Sequence, residues 1–232
     1  MGNIIAIKNN KGGVGKSWIT LQLAHLAALT NEDDQDILII TSDSQNNILS
    51  YAGVEEEFDN GLESWIKKGD GELIRLRKGL YYIPLTSYKV SNSKGLKTLL
   101  QELKQRYKYI FIDATPTLNL DKDFIDMTDS IVIPTFLDHV TTKSISNFIS
   151  ETDMKKLRVI IPNRFTRTKK EILYYKELED VFGRSSITLT LPISQSGEIG
   201  KLIDNGKTIW ESKSKKLENI IKPLFEAWEA LQ

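Results

Sequence analysis

The chain of 232 residues contains no cysteine. Without a thiol it can form no disulfide, no thiolate metal site and no iron–sulfur cluster, and it has no cysteine nucleophile. These kinds of chemistry are therefore excluded before any motif is considered.

Long apolar runs and an excess of one charge sign are also missing. No run approaches the roughly 18 apolar residues of a membrane span, and the opening MGNIIAIKNN returns to polar residues too early for a signal peptide. Lysine plus arginine equals aspartate plus glutamate at 31 each, so bulk charge gives no electrostatic reason to expect nucleic acid. We expect a cytoplasmic protein without membrane contact, in which any DNA contact comes from a local patch.

The composition that is present, 40% hydrophobic and 27% charged, predicts a single domain over residues 1–232 with a core of its own. Apolar runs of strand length alternate with helical patterns, as in βα units. These runs are IIAI (4–7), DILIIT (36–41), GLYYIPL (79–85), YIFID (109–113), SIVIP (130–134) and RVIIP (158–162). Because consecutive residues are apolar, both faces of each strand should be covered, which predicts an α/β fold with a mostly parallel sheet flanked by helices.

Two segments need separate treatment. Residues 53–95 are rich in glycine and charge, and we interpret them as a helix at LESWIKKG plus loops at the sheet edge. The segment LENIIKPLFEAWEALQ predicts a final helix in which Pro223 either causes a kink or begins a new segment. Its apolar residues, spaced three and four apart as on one helix face, are Leu217, Ile220, Ile221, Leu224, Trp228 and Leu231.

A glycine-rich loop, NNKGGVGKS (9–17), lies between the first strand and the helical pattern SWITLQLAHLAAL. Glycines allow backbone N–H groups to approach phosphate oxygens near the positive end of a helix. In such a loop Lys16 lies along the β and γ phosphates and the hydroxyl of Ser17 binds Mg²⁺. The predicted nucleotide-binding residues here are Gly12, Gly13, Val14, Gly15, Lys16, Ser17 and Trp18.

The loop departs from the ordinary G-x-x-x-x-G-K-[ST] pattern, because Asn10 stands where the first glycine should be and Lys11 follows it. KGGVGKS with this additional lysine resembles the deviant Walker A motif of the ParA/MinD superfamily of P-loop ATPases. The resemblance implies that Lys11 reaches the nucleotide of a partner subunit and offsets the charge that develops as the γ-phosphoryl leaves. It therefore implies ATP and Mg²⁺ as cofactors, ATP hydrolysis and an ATP-dependent homodimer.

The segment TSDSQNN (41–47) resembles the D-x-D-P-Q segment of the same superfamily. Thr41 replaces the first aspartate and Ser44 the proline, whereas Asp43 and Gln45 are kept. The resemblance implies that Asp43 positions or activates the attacking water beside the Mg²⁺ shell, a task that suits a carboxylate.

The segment YKYIFIDATPTL (107–118) resembles the Walker B strand and its downstream loop. The implied role of Asp113 is to hold Mg²⁺ directly or through a bound water. Because ligands bind at the carboxyl ends of the strands in open α/β sheets, we expect Asp113, Asp43 and the glycine-rich loop to converge there. Residues 114–117 (ATPT) keep one proline of the usual pair, which predicts a switch-like loop of altered stiffness.

Two further residues are assigned to the nucleoside. Asn163, just past the strand RVIIP, can donate and accept at once, so it either pairs with the adenine edge or caps a turn. The resemblance also places Pro192 near the ribose.

Within the superfamily, the missing cysteines disfavour the nitrogenase iron protein and the iron–sulfur carriers. The terminal helix, with one lysine and three glutamates, would be repelled by anionic lipid. The remaining resemblance is to short ParA proteins, which implies nonspecific DNA, a nucleoid-associated cytoplasmic protein and a small centromere-binding, ParB-like partner. A MinD-like membrane-cycling ATPase and a metabolic ligase resembling dethiobiotin synthetase stay open as alternatives.

DNA contact should come from lysines near the C-terminal end of the chain. The tract ESKSKKLEN supplies Lys213, Lys215 and Lys216, which could neutralise phosphates. A second candidate cluster consists of Arg164, Arg167, Lys169 and Lys170.

Overall fold

The computed structural model describes residues 1–33, 35–86, 92–114, 120–139 and 155–232. The strands in these ranges are β1 (Asn3–Ile7), β2 (Ile37–Thr41), β3 (Ile74–Arg77), β4 (Leu80–Ile83), β5 (Tyr109–Asp113), β6 (Ser130–Thr135), β7 (Leu157–Pro162) and β8 (Thr188–Leu189). They form an eight-stranded sheet in the order β3-β4-β2-β5-β1-β6-β7-β8. Neighbouring strands are parallel except β3 and β4. The predicted α/β fold with a mostly parallel sheet is confirmed.

Helices cover both faces of this sheet. In the described part of the chain the α-helices are α1 (Lys16–Thr30), α2 (Asn47–Ala52), α3 (Leu62–Lys68), α4 (Ser93–Arg106), α5 (Leu120–Met127), α6 (Lys169–Phe182), α7 (Gly197–Asp204) and α8 (Glu218–Glu229). Residues of α1, α2 and α8 share one hydrophobic core, those of α3, α4 and α5 share a second, and α6 packs in a third with β6 and β7.

Strand β1 shows why the apolar runs are continuous. Ile5 and Ile7 pack in the core that contains α1, whereas Ile4 and Ala6 pack in the core that contains α4. Each face of the strand is covered, so no position favours a polar residue. Helix α1 is itself buried from Trp18 through Ala27, which fixes the start of that helix rigidly against the sheet.

The prediction for the sheet edge was wrong in one part. Residues 74–77, predicted as loop, form β3 and pair antiparallel with β4 through a turn in which Gly79 has a φ of 69°. The strand buries Ile74 and Leu76 and exposes Arg75, so it carries only two alternating apolar residues. The predicted helix in this region is confirmed as α3.

The terminal helix continues through Pro223 and does not restart there. Of the predicted apolar face, Leu217, Ile220, Leu224, Trp228 and Leu231 are buried in the core and Ile221 packs against it. Within the described ranges, no helix is both long and apolar enough to cross a membrane.

Candidate active site

The glycine-rich loop joins β1 to α1 in a conformation that glycine favours. Gly13 and Gly15 have φ values of 73° and 93°, which side-chain-bearing residues rarely adopt. A Cβ added to Gly12 or Gly13 would meet no atom within 4 Å, so this side of the loop leaves room for a ligand. A Cβ on Gly15 would lie 2.4 Å from Nδ2 of Asn163, so that side is packed against protein.

Lys16 and Ser17 begin α1 directly after the loop. Lys16 is only 8% exposed and its Nζ donates to the carbonyl oxygen of Lys11 at 3.2 Å, so its side chain lies back along the loop. The first turn of α1 contains no acidic residue and Gly15 provides no side-chain cap, which leaves the positive end of the helix suited to an anion. The side chain of Trp18 packs in the core, so this predicted residue can reach a nucleotide only through its backbone.

Asn163 lies against the loop on its protein-facing side. Its Nδ2 donates to the carbonyl of Val14 at 2.9 Å, and its Oδ1 accepts from the backbone of Arg164 at 2.9 Å. Its own backbone N–H donates to Thr135 at 2.7 Å. These bonds show that Asn163 connects the end of β7 to the loop, and its contact with adenine stays a prediction.

Lys11 contacts a carboxylate and an aromatic ring. Its Nζ lies 2.7 Å from Oδ2 of Asp138 and 5.1 Å from the centre of the Phe136 ring, which the guanidinium of Arg164 approaches at 5.7 Å. Sequence reasoning did not identify Asp138, which lies four residues after the predicted strand SIVIP (130–134).

The two predicted acidic residues end neighbouring strands. Asp113 is the last residue of β5, is 1% exposed, and stands opposite Ile7 at the end of β1 and Thr41 at the end of β2. Asp43 lies two residues after the end of β2. The residue between the strand and Asp43 is Ser42, whose backbone N–H donates to the carbonyl oxygen of Asp113 at 3.1 Å. The expected convergence of these carboxylates with the loop at the carboxyl ends of the strands is therefore observed. The predicted switch-like residues 115–117 lie outside the described residues.

Asp43 is held within a short turn. Its Oδ1 accepts from the backbone of Gln45 at 3.0 Å, and Nδ2 of Asn47 lies 3.4 Å from its Oδ2. Its backbone N–H donates to Oγ1 of Thr41 at 2.9 Å. Thr41, which replaces an aspartate of the related motif, thus contributes a hydroxyl that orders the turn.

The two carboxylates at this edge contribute to a raised pKa of the nearby Tyr51. Burial raises the pKa of the Tyr51 phenol, the carboxylates of Asp113 and Asp43 raise it further, and Arg164 opposes them. The field at the strand ends therefore favours a cation. Among the described residues no group of three or more histidines and carboxylates forms a metal cluster of its own. Ser17 supplies a hydroxyl, and Asp43 and Asp113 supply carboxylates, which are oxygen groups of the kind that bind Mg²⁺ or its water molecules. The residues present fit MgATP.

A cavity of about 510 Å³ lies next to Asn163 along the chain. Its two main walls are the loop after β7 and the loop before α7, which are joined by bonds from Phe165 N to Ile193 O at 2.9 Å and from Gln195 N to Phe165 O at 3.0 Å. Pro192 precedes the second loop. The lining residues are Phe165, Thr166, Arg167, Ser194, Gln195, Ser196, Lys216, Asn219 and Ile220.

Two of the predicted basic residues line this cavity. Lys213, Lys215 and Lys216 are all exposed, and of these Lys216 lines the cavity. Arg167, from the second predicted cluster, lines it too. One residue from each of the two predicted clusters therefore lines the same cavity.

Comparison with known proteins shows which family the chain matches. The family model AAA_31, an AAA domain, matches residues 2–163. Soj, the sporulation initiation inhibitor protein of Bacillus subtilis, is 27% identical over 234 residues, which is 90% of each chain. The chromosome partitioning protein ParA of Myxococcus xanthus is 27% identical over 172 residues, which is 67% of this chain and 60% of that protein.

Solved structures share the fold. Apo McdA from Cyanothece gives a TM-score of 0.82 at 19% identity and covers 100% of both chains. MinD from Pyrococcus horikoshii, complexed with Mg-ADP, gives 0.78 at 19% identity and covers 98% of this chain and 96% of its own. With a matched family, a phosphate loop carrying a second lysine, and two carboxylates at the adjoining strand ends, the chain belongs to the ParA/MinD superfamily of P-loop ATPases, close to ParA-type partition proteins, with ATP and Mg²⁺ as cofactors.

Proposed function

We propose that this protein is a ParA-type partition ATPase. ATP drives it into a homodimer that binds nonspecific DNA, and a small centromere-binding, ParB-like partner stimulates hydrolysis, so that a plasmid, chromosome or mobile element is segregated. The observation that carries the proposal is the different contacts of the two lysines. The ammonium of Lys16 donates to the backbone of its own loop, whereas that of Lys11 pairs with Asp138 at 2.7 Å and its side chain is 35% exposed.

In the proposed hydrolysis, the residues of the loop and of the strand ends have different roles. The N–H groups of residues 12–18 and the ammonium of Lys16 hold the phosphates, and Ser17 and Asp113 hold Mg²⁺, which supplies positive charge to the phosphoryl oxygens. Asp43 orients the attacking water beside the metal. The partner's copy of Lys11 adds positive charge where the γ-phosphoryl leaves.

We assign the nucleoside to the 510 Å³ cavity. Asn163 donates to the phosphate loop at Val14, and Phe165, two residues further along the chain, lines the cavity, so one short segment connects the loop with the cavity. A second hydrogen on Nδ2 of Asn163 suits the adenine edge, and Pro192 lies on the ribose side.

The assignment of DNA binding follows the relatives and the exposed lysines. Besides Soj and ParA, a putative plasmid partition protein of Borrelia burgdorferi bound to AMPPNP has the same fold, with a TM-score of 0.74 at 22% identity. Lys213, Lys215 and Lys216 lie together on the surface, and dimerisation would double their number. The proposed location in the cell is the cytoplasm, on the nucleoid.

The MinD-like alternative has support from a structural neighbour but little from the terminal helix. MinD from Aquifex aeolicus shares the fold, with a TM-score of 0.76. A membrane-binding helix needs an exposed apolar face, whereas the apolar face of α8 is buried against α1 and the sheet. For the ligase alternative, no observation adds support.

DNA binding measured without nucleotide, with ADP and with ATP across a salt series tests the proposal. We expect binding with ATP that weakens steeply with salt, and we expect Lys16→Ala to lose it together with tight ATP binding in calorimetry. DNA binding that is equal in all three nucleotide states would contradict the proposal. ATP-dependent sedimentation with liposomes would favour the MinD-like alternative, and release of ADP stimulated by a small acid would favour the ligase.

A further inference from the structure

Asn46, which precedes α2, combines burial with an unusual backbone conformation. It is 7% exposed and has a φ of 49° and a ψ of 39°, in the left-handed region that asparagine tolerates better than most residues. It closes the turn that begins at Asp43, because its backbone N–H donates to the Asp43 carbonyl at 3.1 Å.

The side-chain amide of Asn46 uses its full bonding capacity. Nδ2 donates to the carbonyls of Leu85 at 2.8 Å and Ser44 at 2.9 Å. Oδ1 accepts from the Tyr82 hydroxyl at 2.7 Å and from the Leu85 backbone at 3.0 Å. An amide has two donor hydrogens and two acceptor lone pairs, so all four are occupied, and three of the four bonds join the turn to the end of β4.

The partners of this amide are fixed as well. Tyr82 is fully buried, and burial together with the nearby carboxylates of Asp113 and Asp43 raises its pKa well above the ordinary value, so its hydroxyl stays protonated and donates. Leu85 is fully buried and follows β4. The amide therefore connects the turn that contains Asp43 to a fully buried part of the sheet.

We propose that Asn46 is a positioning residue for ATP hydrolysis: its amide joins the Asp43 turn to the end of β4 and so sets the place of the Asp43 carboxylate. It acts through Asp43 and touches no nucleotide, and the proposal rests on the proposed role of Asp43. A small displacement of a catalytic group lowers the rate strongly, whereas the phosphate loop is built on β1 and α1, which supply none of the four bonds of this amide. Loss of the amide should thus affect kcat and spare ATP binding.

The main test is Asn46→Gly, because glycine adopts a φ of 49° without strain and removes only the amide. We expect kcat to fall about 10-fold or more while the ATP dissociation constant changes less than about twofold. Tyr82→Phe removes one of the four bonds and should lower kcat less. If Asn46→Gly does not fold, Tyr82→Phe and Asn46→Asp take its place, and the same fall in kcat without a change in ATP affinity is expected. Asn46→Asp keeps the acceptor oxygen at Oδ1 and replaces the donor NH2 group with a second acceptor oxygen.

A matched control separates positioning from stability. Thr128 is buried, its Oγ1 donates to Phe124 O at 2.8 Å, and Asp129 beside it bonds to Ile4 at the opposite end of the sheet. Thr128→Val should lower the melting temperature and leave kcat unchanged. If Asn46→Gly also lowers only the melting temperature, the positioning role is refuted.

A double-mutant cycle shows whether the effect passes through Asp43. In an Asp43→Asn background, Asn46→Gly should cause little further loss of kcat. An equal further loss in that background overturns the proposal and leaves the proposed function intact. If Asp43→Asn alone leaves kcat unchanged, the catalytic assignment in the proposed function fails, and the positioning role fails with it.

Discussion

The ammonium of Lys11 lies 2.7 Å from the carboxylate of Asp138 within one chain, and both side chains are partly exposed, at 35% and 41%. Ion pairs with this exposure contribute only about 0–1 kcal/mol. The contact therefore keeps Lys11 near the nucleotide face without preventing it from exchanging its partner for a phosphate.

Lys11→Ala should retain most of the affinity for ATP and lose ATP-dependent dimers and turnover, because the proposed contact is made in the site of the partner subunit. Sedimentation with ATP measures the dimers, and calorimetry measures the affinity. Asp138→Asn is the control, since it removes the ion pair within the chain and keeps the lysine. Normal dimers in Lys11→Ala, or an equal loss in both variants, would contradict a cross-subunit role.

Lys216 and Lys213 should respond differently to substitution, because only the first of the two lines the 510 Å³ cavity. We expect Lys216→Ala to weaken ATP binding several-fold in calorimetry. Lys213→Ala should leave ATP affinity unchanged and reduce the salt dependence of DNA binding by about one phosphate contact. Equal ATP affinities in the two variants would remove Lys216 from the nucleoside site.

Gly206→Ala should destabilise the fold at the contact between α2 and α7. Gly206 has a φ of 60°, and a Cβ there would lie 2.3 Å from Cα of Gly53, which itself has a φ of 66°. Steric overlap with backbone and a left-handed alanine together predict a loss of about 2 kcal/mol or more in unfolding free energy.

The control for this change lies within α7. A Cβ on Gly200 would meet nothing within 4 Å, so Gly200→Ala should raise the unfolding free energy by up to about 1 kcal/mol through helix propensity. Both values can be measured by urea denaturation. A loss in Gly200→Ala as large as that in Gly206→Ala would show that the contact between the glycines is not the cause.

His25 should make stability depend on pH. Burial lowers its pKa below the ordinary 6.5, the carboxylate of Glu211 opposes that shift, and Arg77 adds to it. The unfolded chain therefore binds a proton before the folded one does, so this contribution is complete above 6.5 and is lost as the pH falls from 6.5 towards the folded-state pKa.

His25→Asn tests this dependence, because an amide can keep the contact with Oγ1 of Thr208, which is 2.7 Å from Nδ1 of His25, without titrating. We expect melting temperatures of the native chain, relative to this variant, to fall between pH 7 and pH 5. Parallel curves for the two proteins would exclude His25 as the source.

The parts of the fold that were predictable are those in which a strand is covered on both faces. β1, β2 and β5 are continuous apolar runs, and their burial is what the pattern indicates. β3 and β8 were not predictable, since both lie at the sheet edges, and β8 consists of two half-buried residues.

The candidate site, too, was predictable only in part. The loop and the two carboxylates were predictable because each follows a strand, and parallel strands end at the same edge. The contacts of Lys11 with Asp138 and of Asn163 with Val14 were not, because they join residues more than a hundred positions apart. Such pairs depend on the strand order, which local sequence does not specify.

The bond between Asn163 and Val14, with Gly15 packed against the same side chain, means that contacts within the chain itself hold the phosphate loop in its shape. The conformational entropy of ordering it is lost during folding, and little remains to be lost when the nucleotide binds. Affinity for the triphosphate and resistance to unfolding therefore share a source, and weakening the amide's hold on the loop would diminish both together.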